Sequence, residues 1–287
     1  FCGAGTSSLR VANNSPVALD VPIAVNSVRT PTGDYTLAVE IYDAPPGDSC
    51  DNAGAPIMMT SSLMATTTGY TNEQWGYAQS LMMYDIAAIQ DMYGADFSGP
   101  ANQVYKWDPT TGQEFINNVG QGAPGGNRVF MTVWDGGGNA TYDFSNYNTA
   151  MQIDLTPGGH STLSATQLAN LGNGHYAGGN VYNALQYNGD TRSLIRNVTV
   201  GNSNNSILGN STNNTITVGT GNNNIDGGAG RDTIVFGVAS QGATMTHNVN
   251  GSWTVSFAGY SETLSNVELL KFTDKTVSIE NPLSDFN

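Results

Sequence analysis

The sequence predicts a mainly β chain. A parallel β-roll and β-sandwich fills residues 98–287, joined through one helix to a small β unit within residues 1–97. Three observations carry this. A nine-residue pattern repeats over Val200–Val235. Glycine numbers 35 while charged residues are only 11%, a turn-rich, uncharged balance that does not suit a helical bundle. Outside one segment with helical spacing, the apolar residues fall in short runs between Gly, Pro, Asn and Asp clusters.

Written in nines, Val200–Val235 reads VGNSNNSIL, GNSTNNTIT, VGTGNNNID, GGAGRDTIV. The sixth places are Asn205, Asn214, Asn223 and Asp232, and the eighth are Ile207, Ile216, Ile225 and Ile234. Such a period marks a solenoid. Six residues make a tight turn, where Gly supplies positive φ and Asn tolerates it. Three residues make a strand whose central aliphatic points inward, and stacking buries a ladder that no single unit buries alone. The last unit, Gly227–Val235, matches GGxGxDxUx at every place. It resembles the calcium-binding β-roll of repeats-in-toxin proteins. That resemblance implies Gly228, Gly230 and Asp232 as calcium ligands. Calcium affinity follows ligand charge, so Asn205, Asn214 and Asn223 read as degenerate positions. Their side chains are expected to stack and hydrogen-bond along the roll. Calcium is expected at few sites, and weakly.

The net charge of −14, with 9 Lys+Arg against 23 Asp+Glu, lacks the basic footprint of a nucleic-acid binder. No apolar run reaches membrane-spanning length. The chain begins at Phe1 without a signal-peptide pattern, which reads as a mature or processed terminus. Cys2 and Cys50 flank one N-terminal segment and are expected to form a disulfide. Closing that loop removes about 4 kcal/mol of unfolded-state entropy in the chain-entropy model. Seven N-x-S/T sequons, at Asn13, Asn139, Asn197, Asn204, Asn210, Asn213 and Asn250, follow from an Asn/Ser/Thr-rich composition.

In chain order, LRVA, VALDVPIAV and YTLAVEIY read as strands, and residues 52–79 as loop. Over Ser80–Gly94, Met82, Ile86, Ile89 and Tyr93 fall at helical spacing and predict one buried face, with Ser80 as the starting cap and Gly94 as the end. VYKW, RVFMTVW, TYDF and MQIDL follow as strands, then the nonapeptides, then TIVFGV, WTVSF, VELLKF and KTVSI. The break between the two parts falls near residues 95–102.

Gly76–Asp96, the turn and strand Val133–Tyr147, and Ser193–Val198 leading into the nonapeptides together resemble the serralysin family, from roughly residue 57 to the C-terminus. The resemblance implies a secreted zinc peptidase with a C-terminal calcium β-roll, exported through a C-terminal type I secretion signal, and a bacterial source. In the turn WDGGGNAT it implies Asp135 and Gly137 as calcium ligands, with Ala140 where the family has Asp. Before the roll, Arg196 stands where the family has an acidic ligand, and its cation is expected to face the turn carbonyls. The catalytic half departs. The family motif H-E-x-x-H-x-x-G-x-x-H holds zinc on three His while Glu activates water. The histidines here are His160, His175 and His247, none spaced i, i+4. Met58 or Met59, in Pro56–Thr60, resembles a relic of the Met-turn. Val39–Ala44 faintly resembles the zinc helix, with Val39 and Asp43 at the His places.

No catalytic residue and no zinc ligand is therefore assigned, and no peptidase activity is expected of this chain alone. The first functional reading is a secreted structural, adhesion or partner-binding protein with an unidentified protein or surface partner, and with possible assembly with other chains. The alternative is the C-terminal part of a secreted zinc metallopeptidase whose catalytic half is cleaved off or absent. A carboxylate-pair hydrolase and a protein inhibitor find no supporting motif.

Overall fold

The computed structural model describes residues 72–280, together with the backbone of the strands Leu9–Ala12 and Val39–Tyr42. The chain divides into two compact units, one formed by residues 1–55 with 60–68 and the other by 56–59 with 69–287. In the first unit Leu9–Ala12 pairs in parallel with Val39–Tyr42. The stretch that resembles a zinc helix therefore runs largely as extended strand, where residues spaced i, i+4 do not share a helical face. Cys2, Cys50, Met58 and Met59, with the disulfide and Met-turn readings they carry, lie outside the described residues.

The second unit is a roll of two sheets. One has nine strands in the order 276–278, 269–271, 233–236, 215–218, 195–200, 140–144, 104–107, 114–116, 119–120. The other has six, in the order 244–247, 253–257, 260–265, 223–226, 206–208, 152–154. Successive nonapeptide strands alternate between the sheets. Ser206–Leu208 pairs in parallel with Asn223–Asp226, and Thr215–Val218 with Thr233–Phe236, so sheet neighbours are 18 residues apart.

The eighth-place isoleucines fill the space between the sheets as expected. Ile153, Ile207, Ile225 and Leu264 are in register on one side. Tyr142, Val198, Ile216, Ile234 and Leu270 are in register on the other. All nine belong to one buried cluster. Each fully buried aliphatic contributes roughly 1.5–3 kcal/mol, and the polar turns supply nothing comparable.

A second, smaller cluster holds the helix. Met82, Met83, Phe130, Ala169, Ala177 and Tyr182 pack together beside a three-stranded sheet of 131–133, 181–183 and 160–161. The helix spans Met83–Tyr93 and ends at Gly94, whose φ of +82° suits glycine. Its start differs from the expectation. Met82 is the N-cap residue, and its N–H donates to Asp85 Oδ2 at 2.9 Å. Ser80 instead exchanges hydrogen bonds with the backbone of Thr132. The buried face differs too. Met83, Ile86 and Gln90 point inward, while Ile89 and Tyr93 are exposed, Tyr93 by 67%. The strand 131–133 and Phe130 draw the helix in by its N-terminal turns. Glu73 reinforces that approach, since its carboxylate holds the Arg128 guanidinium and accepts the Asn170 N–H at 3.0 Å.

Candidate cation site in the roll

Side-chain direction alternates along a strand, so a residue two before a buried aliphatic also faces inward. In the roll that residue sits where turn becomes strand. Its polar side chain closes the end of the apolar ladder and is cut off from water. Asn205, Asn214, Asn223 and Asp232 are all buried, and so is Glu262, two residues before Leu264. Burial without partners costs each polar group roughly 1–3 kcal/mol, so the partners decide what each position does.

On the six-stranded side the partners are complete. The Met151 N–H donates to Asn205 Oδ1 at 3.1 Å. The Asn205 backbone N–H and side-chain Nδ2 both donate to Asn223 Oδ1 at 2.9 Å. Asn223 repeats the pattern, its N and Nδ2 donating to Glu262 Oε2 and Oε1, each at 3.2 Å. Burial pushes the Glu262 carboxyl up to about 7, against the pull of the two Asn223 donors.

On the nine-stranded side the same geometry breaks at one atom. The Asn210 N–H donates to Asn214 Oδ1 at 2.8 Å, the Asn214 N–H to Asp232 Oδ1 at 2.6 Å, and the Asp232 N–H to Glu268 Oε2 at 2.6 Å. Asp232 stands where Asn223 stands on the other side, but as a carboxylate it has no N–H to give. Its Oδ2 is buried and has no hydrogen-bond partner. Burial pushes the Asp232 carboxyl up to about 7; the Asn214 N–H opposes this, and the charges of Glu268 and Asp226 add to it.

Around this oxygen the backbone is drawn in by glycine. A Cβ on Gly227 would lie 2.6 Å from Asp232 Oδ2 and 2.1 Å from the Asn266 carbonyl oxygen. Gly228 and Gly230 take φ of +90° and +131° beside the carbonyls of Asn210 and Thr212. An orphaned carboxylate oxygen beside a close-packed carbonyl is an oxygen-only donor set, which fits a hard cation such as calcium. Among the described residues no group of three or more His, Cys, Asp or Glu side chains is placed to hold a metal ion. Backbone oxygens would therefore have to complete any such site.

The Asp135 turn is differently satisfied. Its Oδ1 accepts from the N–H groups of Gly137 and Gly138 at 2.8 and 2.9 Å. Its Oδ2 accepts from the Tyr105 hydroxyl at 3.0 Å and Gln103 Nε2 at 3.4 Å. Both oxygens of this buried carboxylate already have protein donors. Desolvation, with the Asp135 charge and hydrogen bond adding to it, raises the Tyr105 hydroxyl far above the ordinary tyrosine range. Gly137 packs against the Pro100 carbonyl, closer than any Cβ allows. Ala140 is buried, in register with Ile195.

The expected role of Arg196 is taken by amides. Asn214 Nδ2 donates to the carbonyls of Ile195 and Arg196 at 3.3 and 3.1 Å, and Asn210 Nδ2 to Ile195 and Leu155 at 2.7 and 3.1 Å. Among the described residues the Arg196 guanidinium forms no ion pair or hydrogen bond. The histidines lie on separate strands. His160 packs on Tyr182, His247 on Trp253, and His175 is exposed.

The site also draws on Glu262, Glu268 and Asn210, of which the sequence marks only Asn210, and that as a sequon. A signal for the two glutamates was present. Glu262-Thr-Leu264 and Glu268-Leu-Leu270 continue the acid-x-aliphatic spacing of Asp232-Thr-Ile234 after the nonapeptide repeats have stopped. Asn210, in a turn, carried no such spacing.

The family model described as peptidase M10 serralysin C terminal matches residues 99–274. Metallopeptidase AprA of Pseudomonas marginalis is 30% identical over 205 residues, covering 64% of this chain and 39% of AprA. Serralysin of Proteus mirabilis is 30% identical over 149 residues, covering 50% of this chain and 25% of its own. Serralysin G of Dickeya chrysanthemi is 30% identical over 132 residues, covering 46% of this chain and 26% of its own. The chain thus spans well under half the length of these relatives.

Proposed function

The chain belongs to the serralysin C-terminal family, and on that premise we propose that it is a secreted, non-catalytic scaffold for structure, adhesion or partner binding, with a roll largely relieved of calcium. The contrast between Asn223 and Asp232 carries this reading. At equivalent places one side chain finds both its partners in the protein, and the other leaves a buried oxygen without one. Three of the four nonapeptide sixth places are of the first kind.

Calcium in this reading occupies one residual site. Asp232 Oδ2 and the Asn266 carbonyl would hold it, with Gly228 and Gly230 shaping the turn. The ion would supply positive charge to neutralise Asp232 beside Glu268 and Asp226. Asp135, with its carboxylate already saturated by donors, holds its turn without an ion. The family match from residue 99 supports a roll domain that begins at residue 98.

A second reading is favoured by the partial coverage of relatives named as metallopeptidases. In it, this chain is the C-terminal part of a zinc peptidase whose catalytic half lies elsewhere. Metal analysis after exhaustive dialysis, with a casein-cleavage assay, tests both. The scaffold reading expects calcium near or below one equivalent, no zinc and no cleavage. Stoichiometric zinc with chelator-sensitive cleavage would overturn it.

A further inference from the structure

We propose that the outer face of the six-stranded sheet is a binding groove for neutral polysaccharide. This names a partner class for the scaffold reading. An open cleft of about 610 Å³ crosses four strands there. Its floor carries Gln152, Ser206, Asn224 and Thr263 in register, one from each strand. Their rungs are therefore spaced by the strand separation of about 4.8 Å. A second row runs beside it from two turn residues, Asn204 and Asn222, to Ser261 in strand 260–265; Asn204 Oδ1 accepts the Asn222 N–H and Asn222 Oδ1 the Ser261 N–H, both at 2.8 Å.

Three properties point to the ligand. No charged side chain lines the cleft, in a chain of net charge −14. The adjacent outward row, Asp154, Leu208, Asp226 and Ser265, carries two carboxylates, so the lack of charge belongs to the groove and not to the whole sheet face. The side chains of Gln152, Ser206, Asn224 and Thr263 make no hydrogen bond among the described residues, and each offers both a donor and an acceptor. Sugar hydroxyls have the same dual character.

The groove is also held in place before any ligand arrives. Directly beneath it, Asn205, Asn223 and Glu262 form the fully partnered hydrogen-bond ladder. That lowers the ordering cost of binding. A peptide is disfavoured. Strand addition needs an open sheet edge, while the edge strand 152–154 is covered at Gln152, whose N–H and carbonyl both bond to Thr162, and the apolar lining is only Ala150 and Met151. Without an aromatic platform each sugar is held weakly, so affinity has to build along a polymer that spans several rungs.

The test is affinity electrophoresis of the whole chain in gels containing dextran, laminarin or galactomannan, run with calcium and with chelator. Alginate and a Gly-Ser polypeptide serve as controls. We expect retardation by at least one neutral polymer and by neither control. Because the two altered residues are exposed, the Gln152→Ala/Asn224→Ala double variant keeps the fold, and it should bind about tenfold more weakly through loss of two hydrogen-bonding groups. Thr217→Ala, on the other sheet, should bind as the parent does. No retardation by any neutral polymer, equal retardation of the double variant, or stronger retention by the polypeptide would each overturn the proposal. Metal content and casein cleavage are read separately, so failure here leaves the scaffold reading standing.

Discussion

Replacing Asp232 by Asn should stabilise the metal-free protein and abolish its response to calcium. The substitution keeps Oδ1 as the acceptor for the Asn214 N–H and exchanges the orphaned oxygen for an amide. The Asp232 carboxyl is moved from 3.8 to about 7. At 1.36 kcal/mol per pKa unit that difference caps the penalty of the ionised form at about 4 kcal/mol, and hydration of its neighbours lowers it to about 2. The sign follows from proton binding. Between these pKa values the folded state holds a proton that the unfolded state has released, so stability falls as pH rises from about 4 through about 7. In chelator at pH 8 the variant should therefore gain about 2 kcal/mol. For a unit of this size that is a melting temperature higher by about 4–8 °C. At pH 4 the gain should vanish. In millimolar calcium the parent should rise toward the variant, which should not move. Urea and thermal unfolding across these conditions provide the measurement. A variant no more stable than the parent at pH 8 in chelator, or one that still responds to calcium, would refute the reasoning.

The reverse change, Asn223→Asp, should introduce calcium dependence on the other side of the roll. It removes the donor to Glu262 and sets a second carboxylate beside it, at a cost of about 2–4 kcal/mol in chelator at pH 8; unchanged melting with and without calcium would count against the ladder argument. Ile225→Ala should cost about 2–5 kcal/mol by leaving a cavity between the sheets, measurable as a lower urea midpoint at unchanged slope. Cys2 and Cys50 are expected to be bonded, and intact mass with thiol alkylation before and after reduction checks it; two alkylated cysteines in the unreduced protein would rule it out.

The mainly β class, the helix Met83–Tyr93 and the inward isoleucines were legible in the sequence, because periods of nine, two and 3.6 are set by local geometry. Ile89 and Tyr93 show where that stops. Their spacing fits a buried face, but only the first turns of the helix meet Phe130 and the strand 131–133. The candidate site was legible in part. Asp232 and its glycines stand out as a motif, whereas the groups that surround it, Glu268 on its backbone N–H and the Asn266 carbonyl against Gly227, come from more than thirty residues on. Asp135 belongs to a motif just as clear, yet Tyr105 and Gln103 reach it from another strand and change its chemistry. Arg196 stands out in the sequence by its charge, whereas the contact the structure shows there is its carbonyl accepting from Asn214 Nδ2.

The alternation of nonapeptide strands between two sheets constrains how such a chain can lengthen. The sequence repeats every nine residues, but contact recurs only after 18. Gaining or losing one nonapeptide would carry every later strand to the opposite sheet. Asp232 would then follow Asn205 and Asn223 in place of Asn214, and Glu262 and Glu268 would exchange columns. Two nonapeptides together restore each column and only lengthen it. Viable length variants of this roll should therefore differ by whole coils of 18 residues, and single-unit changes should persist only where the residues after Phe236 have been rebuilt to match.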